Sequence, residues 1–179
     1  MAWTRNVGMA LIALVLLGLA GIWLYAPRSI NADVEPGRLL TPWAAHLDDV
    51  DLGLATGDRA RAVRAWSNAW MAAQASHRWQ PLIDVGDAAL RVGQATDSTL
   101  IARANARRAY RAALVRAHAQ RSVDGVLRAA ESFAALGDRN VTEGALYTAR
   151  KLAAQTPDRN LQARVELDAE RIAARVVTQ

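Results

Sequence analysis

The chain has 179 residues, a formal net charge of +5 and no cysteine. The missing cysteine excludes disulfides, thiolate metal sites, a cysteine nucleophile and a lipidated N-terminal cysteine, and it leaves the compartment open. Twenty-one of the 22 basic side chains are arginine, but Asp and Glu interrupt their runs and no nucleic-acid-binding motif accompanies them, so no nucleic-acid partner is expected.

Residues 7–26, VGMALIALVLLGLAGIWLYA, carry no charge; at about 1.5 Å per residue they match the roughly 30 Å hydrocarbon core of a bilayer. Trp3 precedes the stretch and Trp23 and Tyr25 close it, as expected of rings that settle at headgroup level. The competing reading is a cleaved signal peptide, with Arg5 as its basic region and Gly18-Leu19-Ala20 as a small-x-small site. Against cleavage, the apolar run continues past Ala20, and Pro27 would follow the other candidate site after Ala26. An uncleaved signal anchor crossing the inner (cytoplasmic) membrane once is the better fit. Short N-terminal tails stay inside, which places the remainder outside the cytoplasm, in the periplasm of a Gram-negative cell.

Residues 27–41, with two prolines, a glycine and no apolar periodicity, read as a linker. From residue 42 to 177 alanine and arginine dominate and β-branched residues are few, which predicts an all-α domain. Thr41-Pro42 opens a helix with apolar Trp43, Leu47, Val50 and Leu54 on one face; Gly57-Asp58 breaks it, and a second amphipathic stretch runs from Arg59 to about Ala75.

Ala62, Trp66, Ala69 and Trp70 then follow as small, aromatic, small, large. Val85-Gly86, Ala89-Leu90 and Gly93 begin a second unit, completed by Ala106, Tyr110, Ala113 and Leu114. These come eight residues late, so residues 94–100 are expected to be an insertion or an added turn begun by an Asp97 or Ser98 cap. A third, weaker unit has Phe133, Gly137-Asp138, Thr142, Leu146 and Ala149. The turn glycines Gly57, Gly93 and Gly137 thus lie 36 and 44 residues apart. Thr156-Pro157-Asp158 opens a last helix with apolar Leu161, Val165, Ile172 and Val176.

Over residues 42–177 this pattern resembles, in degenerate form, the tetratricopeptide repeat (TPR) family. The resemblance implies an α-solenoid of about three TPR-like helical hairpins and a C-terminal capping helix, with a groove along the first helices that takes up a polypeptide. A related hairpin solenoid and an irregular bundle remain as alternatives.

Ten residues before each turn glycine stand Leu47, Ile83 and Leu127; six before stand Asp51, Asp87 and Glu131. An apolar row beside an acidic row suits a protein or peptide partner with apolar residues flanked by Arg or Lys. The competing reading makes the apolar row hairpin core and pairs the carboxylates with neighbouring arginines. Arginines concentrate on second helices, where Arg103, Arg107 and Arg111 share a face open to solvent or to anionic lipid.

Catalytic patterns are missing: there is no GxSxG elbow, phosphate loop or GxGxxG, and Asp48 and Asp49 point to different helix faces. His46, His77 and His118 are scattered without ligand spacing, so neither metal nor cofactor is implied. The sequence therefore predicts a non-enzymatic, membrane-anchored interaction module, a scaffold or adaptor for an envelope complex or an exported client. The alternative is a small structural or assembly subunit of a membrane complex.

Overall fold

The computed structural model describes residues 41–177; the expected span at residues 7–26 and linker residues 27–40 lie outside the described part. Seven helices and no strand occur among the described residues. They are α1 (Pro42–Ala55), α2 (Arg59–Ala75), α3 (Gln80–Ala95), α4 (Thr99–Ala119), α5 (Val123–Ala135), α6 (Arg139–Ala154) and α7 (Arg159–Val177). Among the described residues no helix is long and apolar enough to cross a membrane.

Short polar breaks set the helix limits. The Asp58 carboxylate accepts from the Arg61 amide at 2.8 Å, and the Ser122 hydroxyl accepts from the Gly125 amide at 3.1 Å, each satisfying a donor that a helix start leaves without a partner. Asp158 does the same for Asn160 and Leu161 at the start of α7.

Helices α1 and α2, α3 and α4, and α5 and α6 pair as hairpins. The first helices α1, α3, α5 and the closing α7 pack side by side along the array, and each second helix packs on its own first helix and on the first helix of the next hairpin. The order is solenoid-like.

Each hairpin turn contains one residue in the left-handed region: Gly57 at φ 74°, Asp97 at φ 53° and Gly137 at φ 74°. The second turn is therefore not at Gly93, as the glycine spacing predicts, and the true turn residues are evenly placed forty apart. Asp is among the few residues besides glycine that tolerate this conformation, because its short polar side chain bonds locally. No insertion is needed: residues 94–100 finish α3, make the turn and begin α4, which at 21 residues is the longest helix described. Gly93 sits inside α3 for another reason, since a Cβ there would collide with the Ala102 methyl. Gly53 plays the same part in the first hairpin, where a Cβ would come within 2.8 Å of the Ala62 amide nitrogen.

The core is continuous in kind but falls into two clusters. One joins α1 to α4 with Ala129, Phe133 and Leu136; the other joins Ala117 to α5, α6 and α7, and Trp79 and Leu114 border both. The Tyr110 ring lies over Gly86, where a Cβ would collide with it, and meets Phe133 edge-on at 5.9 Å. The Trp66 indole donates to the Val85 carbonyl at 3.0 Å, tying the first hairpin to the second. Val165, Ala169 and Ile172 of α7 are buried, closing the apolar end of the third hairpin.

The turn register makes two opposite forecasts. Asp97→Gly relieves a left-handed side chain and should raise the unfolding free energy by about 0.5–1 kcal/mol. Gly93→Ala should lower it by about 1–2 kcal/mol, because the clash with Ala102 outweighs the roughly 1 kcal/mol gained in helix propensity. Denaturant unfolding followed by circular dichroism reads both, and a turn at Gly93 would reverse the order.

Candidate functional site

The first helices carry a ladder of ion pairs from one end of the array to the other. Asp51 on α1 accepts from Arg91 on α3 at 2.9 Å, and Asp87 on α3 accepts from Arg128 on α5 at 3.2 Å. Glu131 on α5 accepts from Arg128 at 3.1 Å and from Arg171 and Arg175 on α7 at 3.3 and 2.8 Å. Asp124 and Arg164 add a rung at 2.7 Å between α5 and α7.

This geometry places the six residues singled out from the sequence in two different environments. Leu47, Ile83 and Leu127 are only 2%, 2% and 7% exposed, so they are hairpin core and contribute alignment rather than surface. Asp51, Asp87 and Glu131 reach the surface, each held by arginine from a neighbouring helix. Asp87 also accepts the Tyr110 hydroxyl at 2.6 Å.

Counting from Asp97 rather than Gly93 changes the register of the middle rung. Six residues before the three left-handed turn residues stand Asp51, Arg91 and Glu131, and Arg171 stands forty beyond Glu131. The signs alternate along the array, so each rung attracts the next. Arg91, Arg128, Arg171 and Arg175 are ladder residues that the glycine-based count misses; a forty-residue period of acid, arginine, acid, arginine finds Arg91 and Arg171, while no such period marks Arg128 and Arg175.

Electrostatics follow from the contacts. Burial alone would push the Glu131 carboxyl up, but Arg128, Arg171 and Arg175 together outweigh it and hold the group below the usual glutamate range. Burial, then the hydrogen bond to Asp87, pushes the Tyr110 hydroxyl well up, so it remains a donor. The ladder pairs are largely solvent-facing, and each contributes about 0–1 kcal/mol.

The second-helix side is built differently. Arg116 donates to the carbonyls of Ala73, Gln74 and Arg78 at 3.1, 2.8 and 3.2 Å, capping the end of α2. Arg103 donates to the Leu136 carbonyl at 2.6 Å, and Arg107 grips Asp138 with two bonds of 2.6 and 2.7 Å. The hydrogen bond to Asp138 raises the Arg107 guanidinium still further above its ordinary value. Of the three arginines expected to share one open face, two are therefore spent on clamping the third hairpin, and Arg111 is left exposed.

Between the first two hairpins lies an apolar cleft of about 230 Å³, walled by Val63 and Trp66 of α2 and Ile101 and Asn105 of α4, with Val92 and Gly93 as its floor. His46, His77 and His118 stand apart on α1, on the α2–α3 connection and in the last turn of α4, and among the described residues no cluster of His, Asp and Glu could hold a metal. No protein-family model and no curated protein matches the chain.

The Glu131 cluster has a pH signature. Its folded pKa is depressed, so the stabilisation is complete above the ordinary value of about 4.3 and is lost as pH falls through the lower folded value. Glu131→Gln should cost about 1 kcal/mol at pH 7, the upper end for partly exposed pairs. It should also flatten the loss of stability between about pH 5 and pH 3, measured by thermal unfolding across that window.

Proposed function

We propose that this chain is a membrane-anchored interaction module of TPR-like hairpins, a scaffold or adaptor that holds another polypeptide for an envelope complex or an exported client. Residues 7–26 anchor it in the inner membrane, and the helical array stands on the periplasmic side. The ladder carries this reading. Its carboxylates are aligned on consecutive first helices, face solvent, and are held by exposed arginines in bonds weak enough to exchange. An incoming Arg or Lys side chain can take the place of Arg91 or Arg128, so the partner is a protein or peptide bearing basic residues. Exposed Leu52 on α1 and Leu167 on α7 offer apolar contacts on the first and last helices of the array.

A second reading, a structural or assembly subunit, draws support from the number of large apolar side chains left exposed, among them Leu100, Ile101, Val115, Tyr147 and Leu167.

Crosslinking of the full chain in native membranes, followed by mass spectrometry, tests both. For an adaptor, neighbours exchange, and the combined variant Asp51→Asn, Asp87→Asn, Glu131→Gln should lose them by about tenfold, three exchanged pairs of about 0.5 kcal/mol each amounting to one decade in affinity. Unchanged neighbours in a variant that still melts cooperatively would eliminate the ladder as the contact. A single stoichiometric neighbour would favour the subunit.

A further inference from the structure

The even spacing of the turns lets the two hairpin junctions be compared position by position. At the second junction, Arg103 and Arg107 of α4 cross to Leu136 and Asp138, the residues on either side of Gly137, and leave only a polar hollow lined by Arg107, Arg111 and Asp138. Forty residues earlier the same four positions are Val63, Ser67, Thr96 and Ser98. None of these can form the clamp, and the floor position held by Phe133 at the second junction is Gly93 at the first. The result is the open apolar cleft, whose walls include Val63, Thr96 and Ser98. A cavity of about 150 Å³ suffices to take up benzene, so one of about 230 Å³ accepts a bulky apolar side chain.

The helical walls of the cleft are apolar and basic, and Asp97 stands exposed in the turn between the lining residues Thr96 and Ser98. Leu100, Ile101 and Val63 are 86%, 67% and 45% exposed, more than single scattered surface residues would explain. The two helices that frame the cleft, α2 and α4, carry eight arginines and not one carboxylate. Three of those arginines, at 59, 64 and 108, are exposed and pair with no carboxylate among the described residues, while Arg111, exposed as well, lines a polar hollow at the second junction. Arg108, one helical turn beyond the lining residue Asn105, is held over the Trp70 ring at 5.2 Å.

We infer that the cleft between α2 and α4 is a docking site for an acidic amphipathic segment of another protein, which inserts one large apolar side chain between Val63, Trp66 and Ile101 and places its carboxylates on Arg59 and Arg108. The charge of the helical walls selects the sign of the partner, because a basic segment would meet α2 and α4, which carry arginine and no carboxylate, with Asp97 in the turn the acid beside them. The concave floor favours a side chain over a lipid surface, which is met by protruding residues rather than by a hollow. The site lies among the second helices and not on the ladder, so it is additional to the first-helix contact proposed above.

The missing clamp supplies a variant that closes the cleft while keeping the fold: Val63→Arg, Ser67→Arg and Ser98→Asp copy the arrangement of the second junction. The probe is a fluorescein-labelled synthetic helix with a leucine ridge flanked by glutamates, titrated by anisotropy against the full chain in phosphatidylcholine nanodiscs. Binding by the wild type, weakened at least about tenfold in the clamped variant and absent for a lysine-for-glutamate peptide, is the expected result; about 1.4 kcal/mol underlies each decade. The clamped variant should melt no lower than the wild type. Equal binding by wild type and clamped variant, no binding at all, or recruitment to phosphatidylglycerol vesicles in place of the peptide would each overturn the proposal. Peptide binding should persist in the Asp51→Asn, Asp87→Asn, Glu131→Gln variant, so the cleft and the ladder can fail separately.

Discussion

The close approach of the two helices within each hairpin sets everything else. Gly53 against Ala62 and Gly93 against Ala102 bring backbones together near the turns, where any added Cβ would force the helices apart. Further along, Ala65, Ala69 and Ala73 of α2 and Ala106, Ala109, Ala113 and Ala117 of α4 continue the same buried small-residue seam. Seams of alanine bury little apolar area per residue, so the array draws its cohesion from the large side chains between hairpins, Tyr110, Phe133, Leu82 and Ile83, and from side chains that reach across to neighbouring backbone.

That division of labour explains where the polar groups went. With helix pairs held by small residues, the second helices have long outward faces where arginine stands among exposed apolar residues such as Val115 and Tyr147, and the first helices meet edge to edge along a strip where acid and arginine alternate. The strip fixes the relative register of successive hairpins, since sliding one first helix past the next by a turn would set like charges opposite each other. Asp87 couples the two systems: it accepts from Arg128 on the ladder and from the Tyr110 hydroxyl inside the second hairpin.

Much of this was legible in the chain before any coordinates. Gly57 and Gly137 mark their turns because glycine reaches positive φ without cost, and Asp58 and Asp158 mark helix starts because their side chains can satisfy the first amides. Asp97 was not legible as a turn, because a glycine four residues earlier offered itself and only the packing against Ala102 shows what that glycine is for. The error carried into the partner row: counting back from Gly93 selected Ile83 and Asp87, where the turn itself selects Asp87 and Arg91. Which carboxylate meets which arginine lies deeper still, since those pairs join residues some forty apart and depend on the register of whole hairpins.

Arginine in place of lysine is the last element that the geometry makes intelligible. Arg116 satisfies two carbonyls at the end of α2 and that of Arg78 just beyond it, and Arg107 grips Asp138 through two parallel bonds, arrangements that need a planar fork with several donors and that a lysine ammonium cannot reproduce. Base composition alone would scatter arginines without regard to such partners. Here Arg103, Arg107 and Arg116 sit where a helix end or a turn presents unsatisfied oxygen. Of the eight arginines on α2 and α4, Arg61 and Arg107 meet carboxylates and Arg103 and Arg116 meet carbonyls, so the repulsion that remains is among the exposed Arg59, Arg64, Arg108 and Arg111, where solvent and salt screen it.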